Sequence, residues 1–388
     1  MKILHVVGAR PNFMKIAPIV EAIEKHNQTS GRIIDQRLVH TGQHYEERMS
    51  KLFFDDLGIP KPDINLGVGS GTHAEQTAEI MKRFEKVCLA ESPSHLLVVG
   101  DVNSTIACAL VASKIGVKVI HVEAGLRSFN RSMPEEINRI LTDAISDLLF
   151  VTERSAEEHL WKEGIAREKI YFVGNVMIDT LLKHRERAKR LDLLSRLGLK
   201  RGGSDAPMEY GLLTLHRPAN VDDRETFVGI LEAVAMLSKD RPILFPVHPR
   251  TRQKIEAFGL SGLIRSFGNM IDGCGIYGFE PLGYLEFLCL MSSAQVVLTD
   301  SGGIQEETTV LGVPCVTLRE DTERPVTVTD GTNILAGVSK GKIVETARAW
   351  LDRFSGSGRS CRIPPLWDGH AAERIVAVLD RKQAEAIV

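Results

Sequence analysis

The sequence has no apolar run approaching the ~18 residues that a membrane span needs, so no spanning helix is expected. It has little net charge of either sign: 48 Lys and Arg stand against 50 Asp and Glu, leaving −2. That balance argues against a dedicated nucleic-acid surface. Cysteine is sparse, with six in 388 residues, at positions 88, 108, 274, 289, 315 and 361. They are scattered, form no C-x-x-C pair, and several fall in apolar runs, which reads as reduced structural thiols in a cytoplasmic protein. The opening MKILHVVGARP is too short for a secretory leader and lacks a small-residue cleavage site. It reads as a first buried strand.

Several ligand loops are also missing. No G-x-G-x-x-G follows the first strand, because VVGARPNF carries one glycine and then Arg-Pro, so a dinucleotide bound in the usual way is not expected. There is no Walker lysine loop and no G-x-S-x-G elbow. The twelve histidines show no H-E-x-x-H or other tight ligand spacing, so no metal site is indicated.

What is present is an alternation. Nearly all-apolar runs (KILHVVG, QRLVHTG, HLLVVGD, VKVIHVEAG, DLLFVT, IYFVG) are separated by longer helical patterns. Strands that are apolar throughout indicate a parallel sheet covered on both faces. A charged helix through TLLKHRERAKRLDLLSRLG then leads into the Gly/Pro/polar stretch Lys200 to Tyr210, a candidate linker. The pattern restarts with YGLLTLHR, PILFPVH, VVLTD and PCVTLR as strands. The expected fold is α/β: two Rossmann-like, doubly wound domains facing a central cleft.

In open parallel sheets, reactive groups gather just beyond the carboxyl ends of the strands. After the first strand come Arg10, Pro11 and Lys15. Asp101 follows VVG, either as a helix cap or as a functional acid. HVEAGLRS places His121, Glu123 and Arg127 at another strand end, where a carboxylate needs a partner or a purpose. In MPEEINR, Glu135 and Glu136 open a helix, and both complement its dipole. Successive helical residues diverge by about 100°, so at most one of the two reaches the cleft. Asp101, Glu123 and Glu135 thus give three acids in one half, and clustered carboxylates separate one another's pKa values into an acid and a base.

The second half offers His216 and Arg217, His248 and Arg250, and Arg319, Glu323 and Arg324. Its sharpest stretch is LTDSGGIQEE. Ser301, Gly302 and Gly303 supply backbone N–H groups at a helix start, an anion site. A glutamate one turn later suits a diol, such as the 2′ and 3′ hydroxyls of a ribose. Phosphate with ribose means a nucleotide, and Arg324 with His216 would neutralise a pyrophosphate. Without a dinucleotide loop the better fit is a nucleotide-sugar whose sugar extends toward the acids of the first half.

The motifs GARPNFMK, TGQHY, GDVNST, HVEAGLRS, MPEEINR, LHRPAN, PVHPR, LTDSGGIQEE and ERPV occur in this order. Through them the chain resembles the non-hydrolysing UDP-N-acetylglucosamine 2-epimerases over nearly its whole length. The resemblance implies the fold of B-type glycosyltransferases, with the last helix returning to the first domain. The expected domains are residues 1–180 with 367–388, a connection at 181–209, and 210–366. It implies interconversion of UDP-GlcNAc and UDP-ManNAc without a cofactor or metal, through elimination of UDP, a 2-acetamidoglucal and re-addition. The catalytic positions it implies are Asp101, Glu123, Glu135, His216 and Lys15. Arg10, Phe287, Ser301, Gly302, Gly303, Glu307 and Arg324 fall on UDP-binding positions, with Glu307 on the ribose and Phe287 on the uracil. Gln43, His44, Glu136, Arg217 and His248 fall on a second, activating UDP-GlcNAc site. A homodimer is also implied.

The chain departs from the family pattern at Ala9, Asn12, Val102 and Glu46, and at the LHRPAN segment. LRSFNRSMPEEINR resembles the archaeal-type branch more closely than the bacterial one. Relatives act on other UDP-2-acetamido sugars, including 2,3-diacetamido uronic acids. A hydrolysing epimerase, a retaining glycosyltransferase and a catalytically silent nucleotide-sugar sensor are the other readings.

Overall fold

The computed structural model describes residues 1–42, 57–200, 207–267, 270–355 and 362–385. The chain forms two compact units, residues 1–183 with 365–388, and residues 184–364. Among the described residues no helix is long and apolar enough to cross a membrane.

The first unit is built on seven parallel strands: β1 (Lys2–Val7), β2 (Asp35–His40), β3 (Ile64–Asn65), β4 (His95–Val99), β5 (Lys118–Ala124), β6 (Leu148–Val151) and β7 (Ile170–Phe172). Their order is β3-β2-β1-β4-β5-β6-β7, the doubly wound arrangement, with β1 and β4 central. β4 and β6 are buried at every position, as their composition, apolar but for His95, demands. Helices cover the sheet through regular spacings. His73–Glu91 buries Ile80, Phe84 and Cys88, each four residues apart, and starts at a capping box. There Thr72 Oγ1 accepts from Glu75 N at 3.2 Å and Glu75 Oε2 accepts from Thr72 N at 3.0 Å.

The C-terminal helix Ala371–Glu385 belongs to this unit for physical reasons. Its face of Ile375, Val376 and Leu379 is buried, and each such side chain contributes about 1.5–3 kcal/mol. Asp179 caps it, accepting from Ala371 N at 3.1 Å and Ala372 N at 2.7 Å. Just before it, the buried Trp367 indole donates to Thr152 O at 2.9 Å.

The second unit carries β8 (Gly211–Thr214), β9 (Pro242–Pro246), β10 (Ile264–Phe267), β11 (Gly275–Phe279), β12 (Val296–Thr299), β13 (Cys315–Thr317) and β14 (Asn333–Leu335). They are also all parallel, in the order β10-β11-β9-β8-β12-β13-β14. Leu193, Leu194 and Leu199 are buried, so this stretch packs as part of a folded body. Tyr210, which closes the candidate linker, is buried too and donates to Leu290 O at 2.6 Å. Residues 201–206 of that stretch lie outside the described residues, as does most of the expected helix EERMSKLFFDDLG.

Candidate active site

In the first unit the ends of β1, β4 and β5 converge. Asn12 fixes the turn after β1: its Oδ1 accepts from Gly8 N (3.1 Å) and Ala9 N (2.9 Å), and its Nδ2 donates to Val99 O at the end of β4 (3.1 Å). This is one of the positions where the chain departs from the family pattern, and the amide suits its place because it must accept and donate at once. Arg10 opens the helix Arg10–Thr29, and its side chain lies outside what is described. Lys15, on the same helix, forms an ion pair with Glu123, their side chains 7% and 3% exposed.

Glu123 is held in an unusual backbone. Its φ is +71°, and the register of β5 against β6 slips between Val122 and Ala124. The residue is a β-bulge in left-handed conformation, a state that costs a non-glycine residue on the order of 1–3 kcal/mol and re-aims its side chain. Gly100 follows β4 with φ +68°, and a Cβ there would lie 3.1 Å from Lys15 Nζ. Glycine suits the left-handed turn, and its missing side chain leaves the lysine room to approach. Asp101 comes next, and its Oδ2 meets Arg139 Nη1 at 2.5 Å.

Arg139 comes from the helix Pro134–Ile145 and also donates to Glu136 Oε2, from Nη2 at 2.8 Å and Nε at 3.2 Å. Glu136 takes three further bonds, from Ser128 N, Ser128 Oγ and Phe129 N at 3.0, 3.0 and 2.9 Å. Burial opposes its charge, yet the bonds from Ser128 and Phe129 and the Arg139 guanidinium hold its pKa below the usual range. Glu135, its neighbour, is half-buried. The two thus differ in surroundings, as their angular separation on a helix requires.

Behind these groups is a fully buried network. Asp143 Oδ1 meets His121 Nδ1 at 2.6 Å, and its Oδ2 meets Gly125 N at 3.1 Å and Arg127 Nη2 at 2.7 Å. Burial alone would raise the Asp143 pKa, but His121 and Arg127 together bring it below the ordinary value. Arg127 also makes a bidentate pair with Glu163, at 2.8 and 2.6 Å.

In the second unit Asp300 directly follows β12 and is fully buried. It accepts from His216 N, Arg217 N and Asn220 Nδ2 at 3.1, 2.9 and 3.3 Å, and its Oδ1 lies 2.9 Å from His216 Nδ1. Burial opposes this charge too, but His216 and the backbone N–H groups keep Asp300 below the usual carboxylate range. The His216 side chain is 52% exposed. With Nδ1 held, Nε2 is the nitrogen presented outward.

The helix Gly302–Leu311 starts at Ser301, with Ser301 and Gly303 half-exposed. A Cβ on Gly302 would lie 2.4 Å from Arg324 Nη1 and 2.7 Å from Glu323 Oε1, so only glycine lets that arginine reach the helix start. Arg324 Nε also pairs with Glu306 Oε1 at 2.8 Å. Glu323 gathers Arg324, Arg319 (2.8 Å) and Arg217 (3.5 Å) around one carboxylate. Under the helix, Gln305 Oε1 accepts from Thr322 Oγ1 (2.7 Å) and Asn333 Nδ2 (3.0 Å), tying the arginine loop to the sheet.

Glu307 is 2% exposed and accepts from Tyr284 Oη at 2.9 Å. Burial pushes its pKa up to about 8, with Glu306 adding to the rise and the Tyr284 bond opposing it. Phe287 lies three residues after Tyr284 on the helix Tyr284–Ser293, half-buried and on the same side by helical spacing. His248 is exposed and caps the helix Pro249–Ala257, its Nδ1 accepting from Arg250 N at 3.3 Å. Gln43 and His44, expected at an activating site, lie outside the described residues.

Sequence reasoning did not single out Arg139, Asp143, Asp300, Tyr284 or a role for Asn12. Only Asp300 carried a signal, as an acid closing an apolar strand. Among the described residues no cluster of His, Cys, Asp and Glu is arranged to hold a metal ion.

Residues 26–380 match a family model described as UDP-N-acetylglucosamine 2-epimerase. A UDP-N-acetylglucosamine 2-epimerase of Methanocaldococcus jannaschii is 43% identical over 381 residues, 98% of this chain and 99% of its own. A UDP-2,3-diacetamido-2,3-dideoxy-D-glucuronate 2-epimerase of Pseudomonas aeruginosa is 44% identical over 356 residues, 91% of this chain and 93% of its own. Among solved structures, the M. jannaschii UDP-GlcNAc 2-epimerase in complex with UDP-GlcNAc and UDP has a TM-score of 0.87 at 42% identity, covering 98% of this chain and 100% of that one.

Proposed function

The chain belongs to the UDP-N-acetylglucosamine 2-epimerase family, and on that premise we propose that it inverts C2 of UDP-N-acetylglucosamine to give UDP-N-acetylmannosamine, reversibly and without hydrolysis. The product would supply ManNAc-type sugars for cell-surface polysaccharide. The observation that carries the reading is the cluster at the strand ends of the first unit, where Glu123 and Asp101 are each paired with a buried cation, Lys15 and Arg139.

Inversion at C2 without net oxidation needs a proton removed from one face and returned to the other. In the elimination, a carboxylate takes the C2 proton, and the C2–H electron pair forms the C1=C2 bond of a 2-acetamidoglucal. The C1–O bond breaks, and its pair leaves on the β-phosphate oxygen of UDP. Re-addition of UDP with protonation from the opposite face completes the exchange. Asp101, Glu123 and Glu135 divide the acid and base work, a task that suits carboxylates held in different environments. Lys15 keeps Glu123 oriented.

The departing diphosphate gains charge, and the groups that suit it lie in the second unit: the Gly302–Gly303 helix start, Arg324 and His216 Nε2. Arg10 is assigned to the same anion. Glu307 takes the ribose hydroxyls and Phe287 the uracil. Glu136, Arg217 and His248, with Gln43 and His44, are assigned to an activating second UDP-GlcNAc. The reading carries a cytoplasmic protein and a homodimer, and sedimentation of the purified protein would check the dimer.

The test is proton NMR in heavy water, with UDP-GlcNAc and no added cofactor. Deuterium at C2 together with UDP-ManNAc is the expected result. Free ManNAc with UDP would refute the non-hydrolysing reading. The 44% identity to a diacetamido-glucuronate epimerase favours one second reading, the same inversion on a UDP-2,3-diacetamido uronic acid. Exchange on that sugar alone would establish it.

A further inference from the structure

The buried network behind the acids has no place in the chemistry above, yet its geometry surrounds both of them. Asp143 binds residues on either side of Glu123: His121 Nδ1 two residues before it (2.6 Å), Gly125 N two residues after it (3.1 Å), and Arg127 Nη2 beyond (2.7 Å). Glu123 lies between those anchors at φ +71°, in the register slip of β5. A left-handed non-glycine residue persists only where its surroundings over-determine it, and here one carboxylate fixes the chain on both sides.

The network reaches the second acid through His121. Its Nε2 lies 2.9 Å from Gly100 O, and Gly100 N donates to Val122 O at 3.1 Å. Gly100, at φ +68°, is therefore held at both of its backbone groups immediately before Asp101. Arg139, four residues before Asp143 on the same helix, takes the Asp101 side chain at 2.5 Å. One helix face thus sets the backbone of both acids and the side chain of one.

We propose that Asp143, acting through His121, is a positioning residue that holds Glu123 and Asp101 at their reacting geometry, and that it touches no substrate. This rests on the epimerase reading, in which those two carboxylates are among the three that share the acid and base work at C2. Asp143 faces three donors, so its replacements have distinct consequences. An alanine removes every bond. An asparagine keeps an acceptor for Gly125 N and Arg127, and its amide can donate to Nδ1 of a neutral His121, leaving Nε2–H on Gly100 O.

The experiment measures turnover per UDP-binding site and the isotope effect on kcat with substrate deuterated at C2. Asp143→Ala is expected to lose about 100-fold in kcat, the scale of a misplacement near 1 Å, with UDP affinity within about twofold of wild type. The isotope effect should rise, because a displaced base makes proton removal slower than the other steps. Asp143→Asn should stay within about tenfold of wild type. His121→Phe, which removes the bonds to Asp143 and to Gly100 and leaves Gly125 N and Arg127 on Asp143, should behave like the alanine variant and serves if that variant does not fold. A merely structural role would lower the folded fraction and leave turnover per UDP-binding site and the isotope effect unchanged; that result would overturn the proposal. A wild-type protein inert on UDP-2-acetamido sugars would instead refute the epimerase reading itself, before any variant is made.

Discussion

Glu307 offers the sharpest quantitative test of how the nucleotide is held. Its carboxyl is buried beside Tyr284 with its pKa pushed up to about 8. At pH 7 it is therefore protonated in about nine molecules of ten, and ionising it there costs about 1.4 kcal/mol. A ribose diol donating to this group favours the charged form, so UDP binding should expel the proton. The expected release is about 0.9 proton per UDP at pH 7 and about 0.1 at pH 9. UDP affinity should strengthen about eightfold to tenfold from pH 7 to pH 9 and level off above the free-state pKa.

Titration calorimetry in two buffers of different ionisation enthalpy reads the proton count directly as the slope of observed heat against that enthalpy. Working at pH 7 and above avoids the terminal phosphate of UDP, which titrates near about 6 as phosphate monoesters do. Glu307→Gln keeps the shape, removes the titration, and should show no release at any pH. A wild-type slope of zero with tight UDP binding would refute the reasoning, because the carboxyl would then keep its proton in the complex and could not be the diol's anionic acceptor.

Other consequences are simpler to state. Gly302→Ala would put a methyl group 2.4 Å from Arg324 Nη1, so UDP affinity should fall by about tenfold or more as that guanidinium is displaced, read by the same calorimetry; unchanged affinity would remove Arg324 from the anion site. Asp101→Asn should reduce C2 deuterium exchange by about 100-fold or more while UDP affinity holds; parallel loss of both would mark Asp101 as structural. His5 is buried with its pKa lowered to about 4, burial being the main cause. The unfolded chain then binds the extra proton between about pH 6.5 and 4, so stability is full above that window and falls through it by up to about 3 kcal/mol. Denaturant midpoints of wild type and His5→Gln should converge as pH drops from 7 to 4; a constant gap would contradict the buried neutral imidazole.

Much of the fold was legible because a parallel sheet covered on both faces needs strands that are apolar throughout. KILHVV, HLLVV and LLFV are apolar but for Lys2, His5 and His95, and they leave no other use for such runs between helical periods. Four strands were not legible. Ile64–Asn65 is two residues long, and Ile264–Phe267 (IRSF) is a partly polar edge strand. Gly275–Phe279 (GIYGF) carries two glycines, which read as turn residues, although the strand lies inside the sheet between β10 and β9. Asn333–Leu335 has three residues.

The sequence by itself placed Asp101 after one strand and Glu123 in the end of another, because the carboxyl ends of parallel strands share one edge whatever the loops do. It also carried the family, through an ordered series of motifs too specific to arise by composition. Only the tertiary structure decided what each acid meets. Arg139 reaches Asp101 across 38 residues, Asp143 reaches His121 across 22, and Tyr284 reaches Glu307 across 23. The charge a carboxylate carries depends on its burial and on partners within hydrogen-bond distance, and both are set by chain segments remote in sequence. Position along a strand is local information; protonation and aim are not.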